Sequence, residues 1–448
     1  MRKTIMYTLF FSLLLSCSND DDNFVSVMSY EIRVNYDETY GGEGAAGAKV
    51  TFLNLEDGRS YASTTGDSGL ATVDIVPGNY NLTASLTMSK EDFETFTGQG
   101  VEGDVQFNAS LQNIAITAEQ NESAVLRLVT GTIGNLLLKQ IYYAGSDTKL
   151  GAIYRDQFFE IHNNSNDTLY LDGLCFAQLF GSASTPSSLQ SYHLPNGQLD
   201  WSKSVGQSKG DKSNTDYVYA DEVIRIPGTG NEYPLAPGKS AIVAGTAVNH
   251  KAPLTIVDDE GEEKVYQVEN PDLTVDLSGA PFEVYFRDYL VENGGSFLDS
   301  DIDNPNSVNV EVAFKSYSGK DLILDANGRD AFALFYGDDE IISSWDRLTG
   351  PDKPIDDIED KTTRYLQVPV SVLIDAVEVQ QSDPARQKPK RLPDVADAGE
   401  ISVPKGRYSS QSVIRKQARI IGDRVIYQDT NNSSEDFEVL DHPLVEID

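Results

Sequence analysis

The groups best equipped for chemistry in this chain are its carboxylates. Asp and Glu number 70 against 35 Lys and Arg, which leaves 448 residues with a formal net charge of −35. In Asp299-Ser-Asp301-Ile-Asp303-Asn they stand at every second position, the oxygen-rich spacing that calcium favours. The loop fails the EF-hand pattern, because its sixth position is Asn304 rather than glycine and its twelfth is Val310 rather than glutamate. A looser Ca²⁺ site on Asp299, Asp301 and Asp303 stays open beside the simpler reading, a solvated acidic loop. The four histidines, His162, His193, His250 and His442, have no metal-ligand spacing, and no His-Glu-x-x-His run exists. His250 reads as a hydrogen-bonded structural histidine. Only Cys17 and Cys175 carry thiols, so no disulfide framework or thiolate metal site is expected. Cys175, inside Leu171-Asp-Gly-Leu-Cys-Phe-Ala-Gln-Leu, reads as a small buried apolar residue on a strand. No Gly-x-Ser-x-Gly elbow, phosphate-binding loop or dinucleotide fingerprint follows a strand. Paired carboxylates for glycoside hydrolysis stay open, since 70 acids supply pairs by chance and only their separation in space decides. No catalytic residue is assigned, and no cofactor other than that calcium ion.

The elements that must position these groups are strands. Nearly every apolar run is short, alternates with polar residues and ends at Gly, Asn, Asp or Pro. Tyr30–Tyr36, Ala48–Leu55, Ala71–Val76, Tyr80–Leu86, Ile114–Thr117 and Ala124–Val129 all follow this grammar. Helical signals are few, the clearest being a turn or two at Lys90–Phe93. Hydrophobic residues make up 40 % of the chain, enough for real cores in two or three domains. A pI near 4.3 argues against nucleic acid as a partner, since two polyanions repel.

The amino terminus supplies an address. Arg2 and Lys3 precede a short apolar core, Tyr7–Leu15, too short to span a bilayer. Leu14-Leu15-Ser16-Cys17 then resembles the lipobox of bacterial lipoproteins. The resemblance implies cleavage before Cys17 and lipid on its thiol, each buried methylene contributing about 0.8 kcal/mol to membrane anchoring. Asp20, Asp21 and Asp22 follow at once, either as part of a solvated tether or, as the run resembles, as the acidic surface-export signal of Bacteroidota lipoproteins. The expected location is the outer membrane, lipid-anchored and facing outward.

Two blocks follow. Residues 28–132 resemble the transthyretin-like, carboxypeptidase regulatory-like domains on three stretches: Gly47-Ala-Lys-Val-Thr-Phe, Thr64-Thr-Gly-Asp-Ser-Gly-Leu-Ala-Thr and Val76-Pro-Gly-Asn-Tyr-Asn-Leu. Gly66 and Gly69 are expected to make a tight hairpin with positive φ. In residues 133–448, Gln157-Phe-Phe-Glu-Ile-His-Asn-Asn-Ser-Asn-Asp-Thr-Leu-Tyr-Leu-Asp-Gly-Leu resembles the opening of a lamin-tail domain, an immunoglobulin-like sandwich. Phe159, Ile161, Leu169 and Leu171 alternate as one buried face would. Four motifs in this block, Ile226-Pro-Gly-Thr-Gly-Asn-Glu-Tyr-Pro-Leu-Ala-Pro-Gly, Asp276-Leu-Ser-Gly-Ala-Pro-Phe-Glu, Lys390-Arg-Leu-Pro with Asp397-Ala-Gly, and Gln428-Asp-Thr-Asn-Asn-Ser-Ser-Glu-Asp-Phe, together resemble a family of Bacteroidota lipoproteins classed as a domain of unknown function.

The organisation expected is thus a signal peptide at 1–16, an acidic flexible tether at 17–27, a small β-sandwich at 28–132 and a larger β domain at 133–448. The excess length of the larger domain is assigned to insertions at about 181–231, 294–309 and 351–360. In the first of these, Tyr192 and Trp201 are candidate ligand contacts, as aromatic faces on which sugars stack, with burial in a core as the competing reading. Long ordered loops on a rigid sandwich are where binding usually lives. Many lipoproteins of this kind accompany TonB-dependent outer-membrane transporters, and the resemblance implies, by association only, a surface subunit that captures a glycan, peptide or metal chelate. A surface hydrolase of glycan or peptide, and a structural or adhesive surface protein, are the alternatives.

Overall fold

The computed structural model describes residues 27–37, 40–97, 104–117, 124–130, 135–165, 167–182, 188–257, 262–316, 318–422 and 424–447. Cys17, Asp20, Asp21 and Asp22 lie outside the described residues. The all-β architecture expected from the alternation is what forms. Among the described residues no helix is long and apolar enough to cross a membrane.

Strict alternation in the first block lets one sheet bury one face. Its seven strands run in the order Ser60–Thr64, Lys49–Asn54, Gly78–Met88, Val105–Ile116, Val125–Thr130, Met28–Tyr36, Leu70–Ile75. Neighbours are antiparallel except Val125–Thr130 beside Met28–Tyr36. The sheet curls until its edge strands meet, where Ser63 Oγ donates to Thr72 O at 2.8 Å. Inside lie Ile32, Val34, Val50, Phe52, Ile75, Tyr80, Leu82, Phe107, Leu126 and Leu128. The helix Lys90–Thr97, capped by Ser89 Oγ accepting from Asp92 N at 3.1 Å, brings Phe93 onto Phe107 at 6.0 Å. The strand Ser60–Thr64 escaped the sequence reading because it is a polar edge with no buried residue. Of the two turn glycines, only Gly69 is left-handed, at φ +74°, where a Cβ would fall 2.4 Å from Val34 O. The turn does not close a paired hairpin, since its flanking strands sit at opposite edges of the curled sheet.

The second block packs two seven-stranded sheets face to face. One holds Leu136–Tyr142, Phe158–Asn163, Ser240–Ala244, Ser412–Arg415 and Phe437–Leu440, with the parallel pair Phe282–Glu283 and Val308–Asn309 at its edge. The other holds Leu174–Leu179, Tyr217–Arg225, Ala331–Tyr336, Arg364–Pro369 and Asp375–Glu378, with shorter strands Arg347–Thr349 and Glu311–Lys315. Between them Phe159 stacks on Phe176 at 3.9 Å, and Phe176 on Phe332 at 5.3 Å. Ile161, Leu171 and the partly buried Leu169 join the same core. One boundary needs correction. The segment 181–231, expected to be an insertion, contains Tyr217–Arg225, a nine-residue strand paired with three others inside a sheet. Its polar neighbours hid an apolar Val-Tyr-Ala and Val-Ile pattern.

Candidate functional site

The outer face of the first sheet carries hydroxyls in register. Thr51 pairs with Thr83 and Thr83 with Ser110, so three strands place one row of hydroxyls on the side away from their core. Leu53 and Asn81 form the next row. That face is turned toward two of the motifs that carried the family resemblance.

Lys390-Arg-Leu-Pro, Asp397-Ala-Gly and the segment 428–437 fold against one another. Glu378, fully buried, accepts from Arg391 N at 2.9 Å and Leu392 N at 3.1 Å. Burial pushes its carboxyl up to about 7, with Arg391 and Lys390 pulling the other way. Asp397 accepts from Glu378 N at 2.7 Å, Gly399 N at 2.9 Å and Ser433 N at 2.8 Å, and also binds the Ser433 hydroxyl. Lys390, 4 % exposed, donates to Asp397 O. Gly399 is required because a Cβ there would lie 2.0 Å from Asn432 Oδ1 and 2.6 Å from Ser434 N. Beneath these segments Arg415 ties Asp375, Asp429 and Asp436 together at 2.6, 3.3 and 3.3 Å.

The two surfaces meet through polar contacts and leave a cleft. Asp394 accepts from Ser110 N at 2.5 Å and from the Ser110 hydroxyl; Asn108 Nδ2 donates to Thr430 O at 2.6 Å, and Asn81 Nδ2 to Glu400 Oε1 at 3.3 Å. Lys49 pairs with Glu435, whose Oε1 also accepts from Thr51 at 3.4 Å. Between these contacts lies a cavity of about 360 Å³. Its walls combine the apolar side chains of Leu53, Ala62, Leu82 and Leu111 with Lys49, Lys390, Lys416, Glu400, Glu435 and the hydroxyl row with Asn81. The Lys390 and Lys416 ammonium groups are held by Asp397 O and Glu435 O. Burial raises the Glu400 carboxyl above its ordinary value, while Lys390 and Asn81 act against it. No aromatic ring, histidine or thiol lines the cavity. Such a wall suits a small molecule with an apolar face for the leucines and a few polar groups for the charges and hydroxyls.

The residues singled out in the sequence lie elsewhere. Trp201 is 4 % exposed, stacks on Tyr219 at 3.5 Å and has Phe180 and Tyr365 edge-on beside it, so it is buried in a core and offers no platform for a sugar. Tyr192 is half-buried and leans on His193 at 4.6 Å. The three acids of the calcium reading diverge. Asp299 pairs with Lys264 at 3.0 Å, Asp303 accepts from Asn309 Nδ2 at 2.7 Å, and Asp301 turns inward to accept from Phe286 N at 2.9 Å. Among the described residues no three His, Cys, Asp or Glu side chains gather in a metal-binding group. Asn304, which broke the EF-hand pattern, clamps the loop by donating to Ala247 O at 2.8 Å and Ser278 O at 3.0 Å. His250 Nε2 bonds Thr246 O at 2.9 Å in a buried setting that holds its pKa down to about 4. Cys175 is buried, and burial pushes its thiol up to about 12. The cleft had one sequence signal, the dense Gly, Asp, Asn and Ser of its two motifs, but not its location.

The chain is therefore an all-β protein whose curled first sheet and second-block sandwich meet at a cleft of mixed polar and apolar walls. Residues 236–444 match a family model described as "Protein of unknown function (DUF4876)". The chain is similar to the crystal structure of a DUF4876 family protein from Bacteroides thetaiotaomicron VPI-5482, with 25 % identity, a TM-score of 0.52, and coverage of 92 % of this chain and 94 % of that one. A candidate adhesin from Bacteroides ovatus ATCC 8483 covers 88 % of this chain and 98 % of its own at 10 % identity, but its TM-score of 0.18 carries no argument. No curated protein matches the chain.

Proposed function

We propose that this chain is a surface lipoprotein that captures a small ligand with both polar and apolar surface in the cleft between its two β blocks and serves as an accessory subunit of a TonB-dependent outer-membrane transporter. The observation that carries the capture reading is the cavity of about 360 Å³, walled by leucines together with charged and hydroxyl side chains where two family-like motifs converge on the first sheet. In this reading the first block is a docked transthyretin-like module, the second a lamin-tail-like sandwich, and Cys17 with Asp20, Asp21 and Asp22 holds both outside the cell. A glycan fragment or short peptide fits the wall chemistry, since its hydroxyls, amides and termini match the lining donors and acceptors.

Two experiments test it. Co-purification from detergent-solubilised outer membrane should recover a large β-barrel partner; recovery of the lipoprotein alone refutes the accessory role. Thermal-shift screening of the full chain against glycan fragments and short peptides should find a stabilising ligand, lost in Thr83→Phe, which fills the cleft. A ligand that stabilises both proteins equally refutes capture at this site. The hydrolase reading has one observation in its favour, that Glu400 and Glu435 line one cavity and burial raises the Glu400 carboxyl, as a general acid requires. Turnover of a glycan panel abolished by both Glu400→Gln and Glu435→Gln would establish it; absence of turnover rejects it.

A further inference from the structure

A second cavity, of about 430 Å³, shares no residue with the cleft. Its wall presents Arg386, Lys405 and Arg407 against one carboxylate, Asp383. That balance inverts the chain as a whole, which has two acids for every base. Arg407 is exposed and makes no ion pair among the described residues; its guanidinium lies 5.9 Å from the ring centre of Tyr408. Arg386 meets Asp383 at 3.3 Å through Nε and is itself largely exposed. Lys405 is shared with Asp441 at 2.6 Å. Behind this wall the cations continue: Lys388 has its pKa lowered, by partial burial first and then by Arg329, Arg386 and Arg391.

The backbone holds these cations in place. Gly406, Tyr408 and Ser410 all adopt left-handed φ, at +73°, +57° and +61°. A bulky non-glycine residue takes that conformation rarely and keeps it only when its surroundings enforce it. Here they do, because Tyr408 N donates to Ala144 O at 2.7 Å, Ser410 N to Gly145 O at 3.0 Å and Ser410 Oγ to Leu273 O at 2.6 Å. Lys405 and Arg407 thus sit on a pinned turn. Gln381 and Ser382 add neutral hydrogen-bonding groups to the same wall.

We propose that this cavity is a binding site for a small polyanion, a molecule with two or more carboxylate or phosphate groups that reach Arg407, Arg386 and Lys405 together. Two guanidinium forks and an ammonium suit such a ligand, since charge-assisted bonds to arginine are both strong and geometrically selective. A neutral polyol of the same size leaves the cations unmatched.

Isothermal titration of the detergent-solubilised full chain tests this, with citrate as the carboxylate probe, pyrophosphate as the phosphate probe and sorbitol as the neutral control. At least one anion should bind more tightly than about 5 mM and sorbitol should not. Arg407→Gln should weaken that anion by at least about tenfold, the worth of one charge-assisted pair. Lys361→Gln, an equal loss of charge at an exposed lysine outside the wall, should leave it unchanged. The stronger of the two probes identifies the preferred group. Binding of neither anion, equal binding of sorbitol, or an Arg407→Gln effect no larger than that of Lys361→Gln overturns the proposal. Arg407 is exposed, so its replacement leaves the fold intact, and an unchanged circular dichroism melt confirms that.

Discussion

Replacing Arg415 by methionine should cost about 4 kcal/mol of stability. Arg415 is 3 % exposed and binds three carboxylates, Asp375, Asp429 and Asp436, together with Leu138 O at 3.2 Å and Gln428 O at 2.8 Å. Its guanidinium also faces the ring of Phe437 at 4.8 Å. Methionine preserves much of the apolar stem but none of the charge, leaving buried carboxylates uncompensated, a loss typically of about 3–5 kcal/mol. The lower part of that range is excluded because two carbonyls lose a donor as well. The upper part is limited because Asp375 keeps Leu138 N at 2.6 Å, and Asp436 keeps Thr430 N at 2.8 Å and Thr430 Oγ1 at 2.7 Å. The assay is urea unfolding followed by tryptophan fluorescence. The chain has two tryptophans, Trp201 and Trp345, and both lie in the second block with Arg415, so the signal reports the unit that was altered. The loss should be larger at pH 8 than at pH 5, since the stranded carboxylates escape part of the penalty by taking up protons. A loss below about 1 kcal/mol would show that these carboxylates are solvated or proton-bridged rather than held by Arg415, and would refute the reasoning.

Gly399→Ala should cost about 2 kcal/mol in the same assay, through overpacking against Asn432 Oδ1 and Ser434 N, and wild-type stability would refute the requirement for glycine. Asp301→Asn tests a buried carboxyl that desolvation, with Glu283 adding to it, pushes up to about 7, against bonds from Phe286 and Arg287. A folded value above the unfolded one of about 4 means a contribution present at low pH and lost as pH rises through about 7. The variant should therefore gain on the wild type between pH 5 and pH 8, by on the order of 2 kcal/mol, and a melting-temperature difference constant across that range rejects the shift. In a Cys17→Ser background Cys175 should resist a thiol reagent until urea unfolds the chain, because burial pushes its thiol up to about 12; fast labelling of the native protein contradicts this.

Several features were legible in the residues alone. Period-two alternation is a local property, so Tyr30–Tyr36, Ala48–Leu55 and Tyr80–Leu86 announced strands and an all-β fold before any packing was known. Phe159, Ile161 and Leu171 announced one face of a core, and the apolar run around Cys175 announced its burial. What went unread lacked a local period. Ser60–Thr64 is an edge with nothing to bury, and Tyr217–Arg225 was masked by the polar stretch before it. Trp201 looked exposed because its neighbours in the chain are polar, yet it is covered by Tyr219, Phe180 and Tyr365 from other parts of the chain. Asp299, Asp301 and Asp303 looked convergent because an extended segment would set alternate side chains on one face, but the chain turns at Asp299-Ser300 and forms no strand there, and each acid found its own partner. By itself the sequence determined the strands, the tight glycine turn at Gly69, the absence of a disulfide framework and the motifs that resemble a family. Only the tertiary structure decided that two of those motifs face the hydroxyl row of the first sheet. The contact between Lys49 and Glu435 spans 386 positions, and no local pattern encodes it, since it exists only because two independently patterned sheets pack one against the other.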